Sequence, residues 1–135
     1  MSPESHESLR VKTILVVEDD PINGLVLVDY LQAHGYRALL AKNGPLGVEV
    51  FRQRSPDLVL VDVLLPFKNG FEVCFDIKRT EHGRDTPVLL MSAIYKDAEH
   101  AEQYSRNDLG AAGFIQKPFE LVDLLARVRS LIGGN

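Results

Sequence analysis

The sequence predicts an α/β domain in which helices cover both faces of one doubly wound, five-stranded parallel sheet. Short runs of aliphatic residues alternate with helical patterns from Thr13 onward, and strands that are buried on both faces have this appearance. The chain of 135 residues is long enough for one domain with one core. Its composition, 45% hydrophobic and 25% charged, is that of a globular protein and not of a disordered chain.

The first strand is predicted over Thr13–Val17. Asp20 is a typical helix N-cap, and Pro21 suits the first position of the helix that follows. Gly35 marks the end of this helix, because glycine is favoured just beyond a helix C-terminus. The apolar stripe that we expect to face the core consists of Ile22, Leu25, Val26 and Leu31.

The alternation of strands and helices continues to the end of the chain. A second strand is predicted over Tyr36–Ala41, and a second helix runs from the turn at Asn43–Pro45 to Ser55, since the residue before Pro56 disfavours helical backbone. The remaining predicted elements are a strand over Leu58–Val61, a helix over about Phe71–Thr80, a strand over Val88–Ser92, a polar helix over Asp97–Asn107, a strand over Gly113–Gln116 and a helix over Phe119–Ile132. Five such β-α units predict the flavodoxin-like strand order 2-1-3-4-5.

Composition also limits the setting in which the chain works. We expect residues 1–12 to be a disordered tail, residues 13–132 to form the domain and residues 133–135 to be a short C-terminal tail. The net charge of −4 argues against direct binding of nucleic acid. No apolar stretch approaches the ~20 residues that span a bilayer. Cys74 is the only cysteine, so an internal disulfide is excluded and a reducing cytoplasm is the expected location.

Polar side chains follow the ends of four predicted strands. Glu18 and Asp19 come after the first strand, Asp62 after the third, Ser92 ends the fourth and Lys117 follows the fifth. In an open parallel sheet the carboxyl ends of the strands meet at one edge, where functional groups gather. The sequence therefore predicts one crevice that holds three acids, a hydroxyl and an ammonium group.

This combination of groups is suited to a divalent metal ion and a phosphoryl group. Two carboxylates about 4 Å apart repel each other by roughly 4 kcal/mol at an effective dielectric constant near 20, so the three acids need a counter-charge. Mg²⁺ supplies it, because it binds carboxylate, carbonyl and water oxygens and leaves positions for phosphate. Lys117 adds a second positive charge, and the ionised carboxylate of Asp62 can act as a nucleophile.

Each of these residues also has an ordinary structural interpretation. Asp19 alone would be a loop acid, and only the neighbouring Asp62 favours a ligand. Ser92 alone would be a strand-end hydroxyl bonded to backbone, and Lys117 alone a solvated lysine. Asp20 is a cap rather than a ligand, because Pro21 follows it.

At the level of motifs, the chain resembles the receiver domain of response regulators in two-component signalling. The resemblance covers Thr13 to about Ile132. It rests on the segment ILVVEDD, on Asp62 with Pro66 and Gly70 after it, and on the segments LLMSA and GFIQKPF, in this order and spacing.

The resemblance implies a role for individual residues in metal binding and phosphorylation. Asp62 matches the aspartate that receives the phosphoryl group. Asp19 matches the direct Mg²⁺ ligand, Glu18 matches an acid that acts through water, and the backbone carbonyl of Leu64 matches the third protein ligand. Lys117 matches the lysine that binds the phosphoryl group.

The resemblance also implies a switch. Ser92 matches the hydroxyl that shifts towards the phosphoryl group, and Phe114 matches the aromatic residue whose rotamer follows it. In the family the peptide bond before the proline after the lysine is usually cis, so Lys117–Pro118 is expected to be cis. The phosphoryl donor would be a sensor histidine kinase or a phosphotransfer protein. The output partner, or a second copy in a homodimer, would use the face formed by the helix at Asp97–Asn107, the strand at Gly113–Gln116 and the last helix.

Other functions fit the same fold less well. The domain would catalyse only its own phosphorylation and dephosphorylation, and we do not expect a conventional enzyme. A pseudo-receiver that binds a partner without phosphorylation would usually lack one of the acid, hydroxyl or lysine positions, all of which are present here. A flavin carrier is disfavoured by the anionic segment Glu18–Asp20, and an Asp-x-Asp phosphatase by Leu64 at the second acidic position.

Two features depart from the usual receiver pattern. Positions 93–116 place 24 residues between Ser92 and Lys117, a few more than is common, in the region that often contacts the output partner. Leu64 and Ile94 are bulky apolar residues that would flank the path of the attacking water. We therefore expect slow hydrolysis of the aspartyl phosphate.

Overall fold

The computed structural model describes residues 10–93 and 109–134. Within these residues, five strands form a single sheet in the order β2-β1-β3-β4-β5, and every neighbouring pair is parallel. The strands are β1 at Thr13–Val17, β2 at Arg37–Ala41, β3 at Leu58–Asp62, β4 at Val88–Ser92 and β5 at Gly113–Gln116. The predicted fold class and strand order are confirmed.

Four helices lie in the described part of the chain. They are α1 at Pro21–Ala33, α2 at Gly44–Arg54, α3 at Gly70–Lys78 and α4 at Leu121–Ile132. None of the four is long and apolar enough to cross a membrane. The helix predicted over Asp97–Asn107 lies outside the described residues, as does most of the predicted N-terminal tail.

Side-chain caps fix where the helices begin. The Asp20 carboxylate accepts hydrogen bonds from the backbone N–H groups of Ile22 and Asn23, and Pro21 occupies the first helical position as predicted. Asn43 caps α2 in the same way. Asn69 and Glu72 form a reciprocal capping box at the start of α3. These contacts satisfy backbone donors that would otherwise lack partners at the helix ends.

The core consists of two hydrophobic clusters on opposite faces of the sheet. Alternate residues of β1 and β3 point to opposite faces, so Leu15 and Val59 belong to one cluster and Ile14 and Leu60 to the other. The first cluster includes Phe51, Val73 and Ile77 from α2 and α3, and the second includes Leu27, Leu31, Leu124 and Val128 from α1 and α4. Helices therefore cover both faces, as the doubly wound prediction requires.

The buried face of α1 differs from the predicted stripe. Leu31 is buried as predicted, but Ile22, Leu25 and Val26 are exposed. The helix buries Gly24 and Leu27 in their place. Because α1 is apolar on most sides, its periodicity does not determine which face packs on the sheet. Gly24 decides the choice: a Cβ atom there would lie 3.0 Å from Cδ1 of Leu40, so the glycine lets α1 approach β2 closely.

The C-terminal end of α4 is fastened to the beginning of the sheet. The ammonium group of Lys12, just before β1, donates to the carbonyl of Ile132. The hydroxyl of Tyr36, just before β2, donates to the carbonyl of Gly133 at 2.6 Å. The last carbonyls of α4, which have no partner inside the helix, are thus satisfied by side chains from the sheet.

Candidate metal centre

Three carboxylates meet at the carboxyl edge of the sheet. Glu18 and Asp19 follow β1 directly, and Asp62 is the last residue of β3. One carboxylate oxygen from each residue lies within 4.8 Å of the other two. Glu18 and Asp62 are buried, whereas Asp19 is exposed. The prediction that these three acids converge is confirmed.

The pairing of the strands explains why the acids converge. Val17 of β1 lies opposite Val61 of β3 in the parallel register, so the next residue of each strand reaches the same edge. Backbone hydrogen bonding continues beyond the strands, because the N–H of Glu18 donates to Ala41 and the N–H of Val63 donates to Met91. The acids are therefore held by the rigid ladder of the sheet rather than by a mobile loop.

Lys117 bridges the two buried acids. Its Nζ lies 2.8 Å from Oε1 of Glu18 and 2.9 Å from Oδ2 of Asp62. The backbone N–H of Lys117 donates to the carbonyl of Ser92, which fixes the residue at the end of β5. The Lys117–Pro118 peptide bond is cis, as the sequence motif predicts.

Burial and ion pairing shift the pKa values of Glu18 and Lys117 in opposite directions. Burial raises the pKa of the Glu18 carboxyl above its usual value, and the hydrogen bond from Lys117 offsets only part of this rise. Burial lowers the pKa of Lys117, but its hydrogen bonds to Glu18 and Asp62 and the negative charge of these two acids together outweigh that effect and raise the pKa overall. Lys117 is therefore charged at neutral pH, and one ammonium group faces three acids.

The donor set fits a hard divalent cation. Mg²⁺ prefers carboxylate oxygens and retains several waters, and the cluster offers three carboxylates, one of which is open to solvent. Lys117 engages Oε1 of Glu18 and Oδ2 of Asp62. Within the described residues, the second oxygen of each of these acids accepts a long hydrogen bond, at 3.4 Å from the N–H of Asp20 to Glu18 and at 3.3 Å from the N–H of Leu64 to Asp62. A second positive charge can therefore be accommodated without displacing the lysine.

The other predicted site residues lie around this cluster. Ser92 is the last residue of β4 and is fully buried. Phe114 is buried in the first core cluster, beside the face of the sheet that α2 and α3 cover. The side chain of Leu64 is exposed beside Asp62, while Ile94 lies outside the described residues. The roles of Ser92, Phe114 and the Leu64 carbonyl remain predictions.

Asp20 takes no part in the acidic cluster. Its carboxylate caps α1, and the group of three acids does not include it. The sequence-based choice between cap and ligand is thus confirmed in favour of the cap.

Gly70 supports the site in a way that the sequence patterns do not predict. It begins α3 and lies so close to Asp62 that a Cβ atom would be 2.4 Å from the Asp62 carbonyl oxygen. Only glycine lets the helix start directly against the end of β3. The glycine after Asp62 is visible in the sequence, but its packing role depends on the distance between the two elements.

A cavity of about 470 Å³ adjoins Glu18 and Lys117, and the sequence patterns do not predict it either. Its apolar walls come from α1 and from the segment that follows Lys117, namely Val26, Leu27, Pro118, Phe119 and Leu121. The predicted apolar stripe of α1 placed Val26 in the core. Val26 is exposed and lines the cavity instead, so the stripe gave no sign of the cavity.

Fold and site together define a doubly wound α/β domain with a lysine-bridged acidic centre at the carboxyl edge of its sheet. The family model described as the response regulator receiver domain matches residues 14–129. The chain belongs to this family.

Relatives of this chain include both long and short proteins. The DNA-binding dual master transcriptional regulator RpaA of Synechocystis is 37% identical over 120 residues, which cover 88% of this chain but 48% of that protein. This chain therefore spans about half the length of that regulator. Protein PilH of Pseudomonas aeruginosa is 31% identical over 121 residues, which cover 90% of this chain and 98% of PilH.

Solved structures share the fold over nearly the whole chain. A putative response regulator from Chloroflexus aurantiacus superposes with a TM-score of 0.82 at 28% identity, covering 91% of this chain and 98% of that one. The receiver domain of the sensor histidine kinase PA1611 from Pseudomonas aeruginosa has a TM-score of 0.79 at 28% identity, with the same coverage of both chains. That structure contains a magnesium ion coordinated in its active-site cleft.

Proposed function

We propose that the domain accepts a phosphoryl group on Asp62 in a Mg²⁺-dependent reaction and changes conformation in response. The observation that carries this proposal is the convergence of Glu18, Asp19 and Asp62 within 4.8 Å, with Lys117 bonded to two of them. A nucleophilic carboxylate, a metal-binding acidic pair and a fixed ammonium group are the parts that phosphoryl transfer to an aspartate needs.

The proposed donor is a phosphohistidine on a sensor histidine kinase or a phosphotransfer protein. An oxygen of Asp62 attacks phosphorus, a P–O bond forms, and the P–N bond breaks as the imidazole nitrogen leaves with the electron pair and takes up a proton. Asp19, Asp62 and the carbonyl of Leu64 would hold Mg²⁺, with Glu18 acting through water. The ion would supply positive charge for the phosphoryl oxygens when it is bound. Lys117 exchanges its contact with Asp62 for one with the new phosphoryl group.

We further propose that Ser92 and Phe114 transmit the change. The added phosphate brings negative charge and strong acceptors, and the Ser92 hydroxyl donates to it. Phe114 then repacks behind Ser92 and alters the face that contains β5 and α4, to which a downstream protein, an output domain or a second copy binds. The domain works in the cytoplasm and catalyses only its own phosphorylation and dephosphorylation.

A phosphorylation-independent interaction module is the alternative function. It is disfavoured for two reasons. Every group that the chemistry needs is present. Burying acids and a lysine together also costs desolvation free energy, and binding a partner alone would not require these buried charges.

Intact-mass measurement after incubation with phosphoramidate and Mg²⁺ tests the proposal. We expect the mass of one added phosphoryl group on the wild type, and none on Asp62→Asn or on wild type treated with EDTA. A wild-type protein that gains no phosphate in the presence of Mg²⁺ would support the interaction module instead. Phosphotransfer profiling against candidate histidine kinases then identifies the donor.

A further inference from the structure

Phe67 adopts a backbone conformation that phenylalanine rarely takes. It lies in the loop between β3 and α3, and its φ is +71°. The N–H of Lys68 donates to the carbonyl of Pro66 at 2.8 Å, so Phe67 is the central residue of a γ-turn with positive φ. This kind of turn is rare and strained, and a bulky side chain at positive φ is a genuine outlier. Glycine or asparagine would occupy the position at lower cost.

The side chain of Phe67 is unfavourable as well. The residue is 88% exposed, more than any other large hydrophobic residue in the described part of the chain. Leu64, three residues earlier in the same loop, is 57% exposed. A strained backbone that places an aromatic ring in water gains nothing for the isolated domain. Strain of this kind persists where function uses it.

The loop is anchored on the C-terminal side of Phe67. The next residue, Lys68, forms an ion pair with Asp76 of α3. Its backbone also packs against the start of α2, where a Cβ atom on Gly44 would lie 2.1 Å from the Lys68 carbonyl oxygen. Asn69 then caps α3 through its side chain. The backbone that follows the ring is therefore anchored to α2 and α3.

We propose that Phe67 is an anchor for the protein that delivers the phosphoryl group to Asp62. This inference rests on the proposed function. The loop begins at Asp62, and the N–H of Leu64 faces the Asp62 carboxylate at 3.3 Å. A protein that brings a phosphohistidine to Asp62 would lie next to this loop. An exposed aromatic ring on the loop that starts at Asp62 provides contact area, as aromatic anchors do in protein interfaces.

The comparison of a protein donor with a small donor tests this proposal. Phosphoramidate is small and reaches Asp62 without contacting Phe67. A phosphorylated kinase domain would contact Phe67 when it reaches Asp62. We compare wild type with Phe67→Asn, which tolerates positive φ and removes the ring, and with Phe67→Tyr, which keeps the ring. Phe75→Asn is the matched control, because Phe75 is also an exposed phenylalanine but lies on α3. The protein donor is the autophosphorylated catalytic core of the histidine kinase that transfers fastest in profiling.

We expect Phe67→Asn to lower kcat/KM for transfer from the kinase by about tenfold or more, with phosphoramidate rates unchanged. Phe67→Tyr should retain most of the wild-type rate, and Phe75→Asn all of it. The thermal midpoint of Phe67→Asn should not fall, since asparagine relieves the strained turn.

Three results would overturn the anchor. The first is an unchanged kcat/KM for transfer from the kinase to Phe67→Asn. The second is an equal loss of rate in Phe67→Asn with the kinase and with phosphoramidate. The third is an equal loss of kcat/KM for transfer from the kinase in Phe75→Asn. A wild type that phosphoramidate cannot phosphorylate would instead overturn the proposed function itself, so the two failures are distinct.

Discussion

At the scale of single residues, Lys117 organises the site. It contacts both Glu18 and Asp62, and its hydrogen bond to Glu18 opposes the rise in pKa that burial causes in that carboxyl. The ammonium group thus allows two acids to share a buried edge.

Cys74, in contrast, lies in the core and takes no part in the site. Burial raises the pKa of its thiol to about 11, so it packs as a small apolar side chain.

Replacing Lys117 should show how far a metal ion can substitute for it. We expect Lys117→Met to lower the free energy of unfolding by about 2 kcal/mol without metal, because both buried acids lose their ammonium partner. The partial exposure of the lysine keeps the loss below that of a fully buried ion pair. Mg²⁺ should stabilise the variant more than the wild type, as it restores positive charge between the acids. Chemical denaturation with and without Mg²⁺ measures both effects.

The exposed Arg37 provides the control for that measurement, since Arg37→Met removes one positive charge at the start of β2, at the edge of the sheet opposite the acids. Equal stabilisation of wild type and Lys117→Met by Mg²⁺ would contradict the expected exchange of charges.

At the scale of the element, α1 shows how one helix serves the core and the site together. Gly24, Leu27 and Leu31 pack towards the sheet, while Val26 and Leu27 also line the cavity beside Glu18 and Lys117. The cap residue Asp20 lies two residues after Glu18 and fixes the start of the helix at Pro21.

Removing the cap should affect stability but not metal binding. We expect Asp20→Ala to cost about 1 kcal/mol in the free energy of unfolding, and Asp20→Asn to cost much less because asparagine caps well. Both variants should bind Mg²⁺ like the wild type, whereas Asp19→Asn should bind it more weakly. Urea denaturation and isothermal titration with Mg²⁺ distinguish these cases; weakened binding in Asp20→Asn would make Asp20 a ligand after all.

Sequence patterns predicted most elements and all members of the acidic cluster. Strand ends are readily predicted, because a buried strand is a short apolar run and the polar residue after it marks the edge. The face of α1 could not be predicted, since Ile22, Leu25 and Val26 are as apolar as the residues that are buried. The strained turn at Phe67 could not be predicted from the sequence either, because no local pattern places phenylalanine at positive φ. Its conformation depends on contacts of Lys68 with distant parts of the chain.

At the scale of the whole molecule, negative charge is concentrated at one end of the sheet. The chain has a net charge of −4, and three of its acids converge on a single edge. Their mutual repulsion opposes folding when no cation is bound. Metal binding and stability should therefore be coupled, because a ligand that binds only the folded state stabilises it.

Thermal unfolding in increasing Mg²⁺ tests this coupling. At a hundredfold excess over Kd we expect about 2.7 kcal/mol of stabilisation, which raises Tm by several degrees in a domain of this size. Asp19→Asn should lose most of that shift. Sodium chloride at matched ionic strength is the control, and an equal shift with the sodium salt would mean general screening rather than a bound ion.

The bonds from Lys12 and Tyr36 to the last carbonyls of α4 have a practical consequence. They bring residues 12 and 133 together at the end of the sheet opposite the acids, one strand length away. Chain added at either point leaves from the same side, far from Asp62. A fluorescent reporter fused there, or a circular permutation that joins the two points, would leave the chemistry undisturbed.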